Sequence, residues 1–287
     1  MHDLTIKKIL NNNVIIASHP EHEEVVVIAK GIGFGRRVNE LLPEDRAEKM
    51  FVLTNERERE QYKMLIPHVS ERLIEIMNDV MLLIQEKIAA PLDEHIHIAL
   101  TDHIAFAIRR LKQGFAIENP FLLETKALYP KEYNVASEVL DLINTRLQIK
   151  LPEGEIGFIA LHIYSSVTDS ELSSVNQNSL LIADLVTLIE EQLDLELDKE
   201  SIHYLRLVRH LNYAIERVRS GEKVDEPSRF AEILKDEYPT AYNLAWKQIK
   251  VMQNRLQKPV YNAEIVYLTM HLQRLVQSKK DESELSK

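Results

Sequence analysis

The spacing of apolar residues changes character once along this chain. Over residues 4–53 they come in short, β-branched runs at 4–10, 14–17, 24–30 (around Val25-Val26-Val27-Ile28) and 50–53. Asn11-Asn12-Asn13 separates the first two runs, and asparagine tolerates the positive φ angles that a tight hairpin turn demands. The pattern predicts four strands of a small antiparallel sheet. About fifty residues bury little surface alone, so this module is expected to dimerise or to lean on the helical region C-terminal to it. A charge run at 54–61 reads as a solvated helix start or connector. From about residue 62 to 280 the spacing is helical, as in Leu73, Ile76, Met77, Val80 and Leu83. A Ser-, Asn- and Thr-rich stretch at 165–179 reads as a linker, and the tail from Lys279 as polar and frayed.

Composition narrows the class. The 287 residues are 45% hydrophobic and 28% charged, with only 7 glycines, which favours two or three largely helical domains over a disordered chain or a turn-dense sandwich. With no cysteine, disulfides, thiolate metal sites and cysteine nucleophiles are excluded, and a reducing cytosol fits. The longest apolar runs, such as 25–29 and 104–108, are five residues, against the ~20 needed to span a bilayer. The N-terminus carries an early Asp3 and no apolar signal core, so a cytoplasmic protein without membrane insertion is expected. A net charge of −10 argues against a surface that coats nucleic acid everywhere, but not against one small binding module.

Three of the seven glycines fall in Gly31-Ile32-Gly33-Phe34-Gly35, followed by Arg36-Arg37. The spacing is neither a P-loop nor a dinucleotide fingerprint. A bulged turn is one reading. The other is a nucleic-acid surface, in which glycines admit a close backbone, Phe34 offers a stacking face, and Lys30, Arg36 and Arg37 meet phosphates.

The helical region is written twice. The segment from His103 to Gly114 matches that from His210 to Gly221 at five of twelve positions, at an offset of 107. At an offset of 109, Tyr129-Pro130 recurs as Tyr238-Pro239, Arg146-Leu147-Gln148 as Arg255-Leu256-Gln257, and Glu155-Ile156 with His162 as Glu264-Ile265 with His271. Each copy thus carries two histidines, His103 and His162 or His210 and His271, separated by 59 and 61 residues. Arg110 lies seven residues beyond His103, two turns on along one helical face, and Arg217 repeats this after His210. Hydrogen-bonded core histidines explain one such residue but not the repetition. A metal site is workable, because two histidines from different helices plus a carboxylate form a ligand set, but no HExxH or other close-spaced ligand pair accompanies them. Acid–base catalysis lacks a nucleophile or pocket glycines. Phosphorylation remains: neutral imidazole is nucleophilic, and an added phosphoryl group brings about −1.5 to −2 charge, by analogy with the hydroxyl phosphoresidues.

With these residues in view, the chain resembles the BglG/SacY family of bacterial transcriptional antiterminators. The resemblance runs through Ile6-Lys-Lys-Ile-Leu-Asn-Asn-Asn-Val14, Lys30-Gly-Ile-Gly-Phe34, Leu100-Thr-Asp-His103, the segment from Glu155 to His162 and that from Glu264 to His271; within the family, residues 93–108 look most like the glucose-specific members of Gram-positive bacteria. It implies a dimeric β-sheet RNA-binding domain at 1–56, followed by two all-α bundles that respond to the sugar phosphotransferase system (PTS regulation domains), at 62–168 and 175–280. By resemblance, Lys8, Asn13, Lys30, Gly31 and Phe34 align with RNA-contacting positions, Asn11 and Asn12 share their turn, and Arg36 adds a phosphate contact. Ala29 stands where many members have glycine.

The resemblance also implies that a leader-RNA hairpin is held so that an overlapping terminator cannot form. The sugar permease would phosphorylate the first bundle at His103 and His162, and the phosphocarrier protein HPr would reach His210 and His271 in the second, with Arg110 and Arg217 as phosphate-pairing residues. No cofactor, metal or catalytic residue is expected. Two alternatives stand beside this: a PTS-regulated DNA-binding activator, which would carry a helix-turn-helix head, and a metal-dependent helical enzyme using the paired histidines.

Overall fold

The computed structural model describes residues 3–52, 60–61, 64–93, 95–115, 117–222 and 228–285, so the charge run at 54–61 lies almost wholly outside the described residues. By backbone contacts the chain divides into two compact units, residues 1–118 with 134–170, and residues 119–133 with 171–287.

The first unit opens with β1 (Asp3–Ile9), β2 (Val14–His19), β3 (Glu23–Ile28), β4 (Leu41–Pro43) and β5 (Lys49–Val52), which form one sheet in the order β4-β1-β2-β3-β5. All four pairings are antiparallel. The strands expected from the pattern are present, with β4 in addition. That strand is three residues long and ends in Pro43, so it gives no alternating signal, and it sits at an edge where proline is tolerated. The central β2 is buried from Val14 through Ala17 because both faces of the sheet are covered, which is why its sequence is continuously apolar. One face builds a core from Leu4, Ile6, Ile15, Ala17, Val25 and Val27.

The small sheet leans on the first helix of the unit. Helix α1 (Glu71–Lys87) starts at Ser70, whose hydroxyl accepts from the Leu73 N–H. From this helix the Glu75 carboxylate accepts from Asn13 Nδ2 at 3.2 Å, and the Asn78 carbonyl accepts from Lys49 Nζ at 3.3 Å. Leu73, Ile76, Met77 and Val80 are buried as expected, while Leu83 is only partly so, and Ile74, Met81 and Ile84 widen the stripe. Helices α2 (Ile96–Lys112), α4 (Pro130–Leu147) and α5 (Glu155–Thr168) complete this unit, α4 starting just before its boundary.

The second unit holds α3 (Leu122–Leu128), α6 (Leu172–Leu193), α7 (Ile202–Ser220), α8 (Ser228–Glu237), α9 (Pro239–Leu256) and α10 (Ala263–Leu285). In sequence α3 belongs to the first repeat, at the place where α8 stands in the second. In space it packs on α6 and α7, with Ala127 in their core. Its Glu124 accepts a hydrogen bond from the Tyr204 hydroxyl at 2.8 Å, both side chains being buried. Burial, followed by the charge of Glu124, pushes the Tyr204 phenol far above its ordinary value. Tyr204→Phe leaves that carboxylate short of a donor and is expected to destabilise the second unit by about 1.5–3 kcal/mol, read from urea unfolding.

Most of the stretch at 165–179 is helical, although the boundary between the two units falls inside it, at 170/171. Helix α5 continues to Thr168 and α6 begins at Leu172. The polar side chains satisfy themselves locally, Ser166 Oγ donating to the Ile163 carbonyl at 2.8 Å and Thr168 Oγ1 to the Tyr164 carbonyl at 2.9 Å, while Val175, Asn178 and Ser179 are buried. Likewise α10 runs to Leu285, past the polar boundary at Lys279.

Candidate functional site

The first candidate surface is built by the β1–β2 turn and the glycine-rich turn after β3. Asn11 Oδ1 accepts from the Asn13 N–H at 2.8 Å, a local turn that asparagine makes readily. Asn13 Oδ1 in turn accepts from the Gly31 N–H at 2.7 Å, and the Gly33 N–H donates to the Asn12 carbonyl at 2.8 Å, so the two turns are laced together. Gly31 takes φ +70°, and a side chain at Gly33 would meet the Asn11 carbonyl at 2.3 Å; these glycines are demanded by the lacing. Between Ile6 and Lys8 the register of β1 shifts against β2 by one residue, a bulge that redirects Lys7 and Lys8 outward.

The expected RNA residues therefore separate into two groups. Lys8, Asn12, Lys30, Gly31 and Phe34 are exposed, Phe34 at 74%, a large value for a phenyl ring. Asn11 and Arg36 are half-buried, and Arg36 is paired with Glu40. Asn13 is 6% exposed, with its side chain spent on Gly31 and Glu75, so it scaffolds the turns in this structure. The exposed Asn12 also donates its N–H to Glu71 Oε1 at 3.3 Å. Val38, 53% exposed beyond Phe34, was not singled out from the sequence, because one apolar residue in a polar loop carries no pattern.

The second candidate site lies in the first repeat. His103 on α2 and His162 on α5 face each other with ring centroids 5.2 Å apart, tilted by 51°. His103 Nε2 lies 2.8 Å from Glu155 Oε2, and Arg110 Nη2 donates to Glu155 Oε1 at 2.9 Å. The seven-residue spacings bring all four groups to one place: His103 and Arg110 along α2, Glu155 and His162 along α5. The Glu155 side chain is only 3% exposed, Arg110 Nε is buried without a partner, and the Arg110 guanidinium lies 4.8 Å from the Phe106 ring centroid.

The second repeat repeats the cast with different bonds. His210 on α7 and His271 on α10 are closer, 4.4 Å between centroids, and tilted by 31°. Here Arg217 takes both oxygens of Glu264, Nε to Oε1 at 2.7 Å and Nη2 to Oε2 at 2.8 Å, and His210 Nε2 is buried without a partner. Glu155 and Glu264 were visible in the repeat as counterparts, but only the fold shows that each anchors the arginine expected to pair with phosphate. Among the described residues, no three His, Asp or Glu side chains converge as metal ligands.

Burial sets the charge state of His162, His210 and His271. His162 is held down to about 3 by burial, with His103 and His95 adding to it, so His95 is a neighbour of this site that no repeat signal announced. His210 is likewise held to about 3 by burial, then by His271 and Arg217, and His271 is lowered by burial, then by Arg274 and Arg206. At neutral pH each of these three rings keeps a lone pair. His97, 1% exposed, is held to about 4 by burial, then by Lys49. Folding thus selects neutral rings whose unfolded value is ~6.5. Stability is whole above that pH and is lost as pH falls below it, by up to about 1.4 kcal/mol per pH unit for each fully buried ring. The loss from His97 levels off near pH 4 and that from His162 near pH 3. Urea midpoints of the full chain between pH 7 and pH 5 should fall, and should fall less in His97→Asn and His162→Asn.

Comparison with known proteins matches the sheet and the two helical repeats to known domains. A CAT RNA binding domain matches residues 4–60, and a PRD domain matches twice, at 78–166 and 183–275. The PtsGHI operon antiterminator of Bacillus subtilis (strain 168) is 54% identical over 271 residues, covering 94% of this chain and 96% of that protein. The GlcA/glcB genes antiterminator of Staphylococcus carnosus (strain TM300) is 39% identical over 282 residues, covering 98% of each chain. The crystal structure of GlcT CAT-PRDI is 55% identical with a TM-score of 0.53, covering 58% of this chain and 99% of that one. The head is a sheet, so a helix-turn-helix activator has no place in it. A strand-built RNA-binding head followed by two PRD bundles makes this chain a member of the BglG/SacY family of transcriptional antiterminators.

Proposed function

We propose that this chain is a cytoplasmic, non-enzymatic antiterminator acting at genes of glucose uptake, and that the sugar phosphotransferase system controls it through its four histidines. The residues 1–56 bind a leader-RNA hairpin as a homodimer, and the regulation domains occupy 62–168 and 175–280. Two relatives named for the PtsGHI operon and for the glcA/glcB genes support the target class. Among the described residues no helix is long and apolar enough to cross a membrane, in keeping with a regulator that meets nascent RNA.

The observation that carries this reading is the pair of histidine clusters, each a facing imidazole pair whose two helices also supply a buried carboxylate held by arginine. The permease phosphorylates the first cluster and HPr the second. A phosphoryl group on His103 brings about −1.5 to −2 of charge into a site where Glu155 already holds Arg110, so phosphate and carboxylate compete for one cation. Arg110, with an unused Nε–H, is the donor on hand to bind a phosphoryl oxygen, and its release from Glu155 loosens the α2–α5 contact.

The test is binding of the full chain to a leader hairpin, measured by fluorescence anisotropy across a salt series. Affinity should fall linearly in log–log form as salt rises. His103→Asp with His162→Asp should weaken dimerisation and RNA binding together; unchanged binding and assembly would reject control through the first cluster.

A further inference from the structure

The two clusters differ in what their carboxylates hold. Glu264 gives both oxygens to Arg217, and no hydrogen bond joins it to His210. Glu155 divides itself, one oxygen to Arg110 and the other to His103 Nε2. A carboxylate paired with arginine is an acceptor only, so the proton in the 2.8 Å contact belongs to the imidazole: His103 carries its hydrogen on Nε2. In the neutral ring Nδ1 then keeps the lone pair. The Nε2 corner is turned toward a side chain that is 3% exposed, whereas the His103 side chain as a whole remains 17% exposed. His162, 9% exposed, is the less accessible ring of the pair.

We propose that Glu155 is a positioning residue that fixes the tautomer of His103 so that the first regulation domain accepts its phosphoryl group on His103 Nδ1, whereas among the described residues of the second domain no carboxylate is hydrogen-bonded to His210. This rests on the reading that His103 is a phosphorylation site and specifies its chemistry. The donor is a phosphoprotein carrying phosphohistidine or phosphocysteine. Its P–N or P–S bond breaks, the bonding electrons staying with the donor nitrogen or sulfur, and the Nδ1 lone pair forms the new N–P bond. The proton stays on Nε2, and the positive charge that the ring acquires lies against the Glu155 carboxylate. A fixed tautomer means that no proton has to leave the attacking nitrogen. The carboxylate also opposes the cost of charging a ring that is mostly buried. In the second domain the His210 tautomer is set by no carboxylate, and its Nε2 has no partner.

Nitrogen-15 NMR of the labelled full chain at neutral pH should find His103 with a protonated Nε2 and a bare Nδ1. After incubation with the phosphorylated permease domain, phosphorus–nitrogen coupling should appear at Nδ1. Glu155→Gln should mix the tautomers and slow transfer to His103 about 10- to 100-fold, as when an orienting partner of a functional imidazole is lost, and Glu155→Asp should restore part of the rate. A bare Nε2 in the unmodified protein, or a phosphoryl group found on Nε2, overturns the assignment and leaves histidine control standing. No phosphate on His103 from any phosphorylated donor overturns both. The tautomer in the unmodified chain decides the role of Glu155 even where the Gln variant does not fold.

Discussion

Replacing Arg110 by alanine is expected to cost the first unit about 3–5 kcal/mol at neutral pH, the range for removing one partner of a buried ion pair. The Glu155 side chain, 3% exposed, would keep a single imidazole partner in place of an arginine and an imidazole. In Arg217→Ala the Glu264 side chain, also 3% exposed, would lose both of its arginine hydrogen bonds and keep no hydrogen-bonded imidazole, so a loss at least as large is expected in the second unit. Urea unfolding of each variant beside wild type at neutral pH measures both losses; a loss below about 1 kcal/mol in either would mean that its carboxylate finds another donor.

The second large effect separates contact from scaffold in the RNA-binding head. Phe34→Ala should leave the fold unchanged, because the ring is 74% exposed, and weaken hairpin binding by about 1–3 kcal/mol, the loss of one base–aromatic stack. Asn13→Ala should weaken binding and also destabilise the head by about 1–3 kcal/mol, because the buried amide ties Gly31 to the first hairpin and reaches Glu75 on α1. Anisotropy with the hairpin RNA and thermal unfolding of each variant measure the two quantities side by side. A Phe34 variant that binds RNA as well as wild type would remove the ring from the interface.

That difference between Phe34 and Asn13 also marks how far pattern reaches. Both residues stand in motifs that carry the family resemblance, and nothing in their spacing tells an exposed ring from a buried amide. Exposure is decided by residues far away in sequence, here Glu75 and Asn78, which bring α1 against the head. Strand β4 shows no period because it is three residues ending in proline, and 165–179 is mostly helical on either side of its short junction because serine and threonine bond to their own helix as readily as they break one.

Sequence alone determined the strand-built head, the duplication and the equivalence of His103 and His162 with His210 and His271, because period and internal repetition are properties of residue order. Only the tertiary structure decided that α3 packs with the second repeat, that Asn13 is spent inside the head, and that Glu155 divides itself between Arg110 and His103 while Glu264 is held by Arg217 alone. The reason is physical: hydrogen-bond partners and burial depend on which side chains converge in three dimensions, and two copies with the same residues at the same spacing can satisfy one carboxylate in two ways.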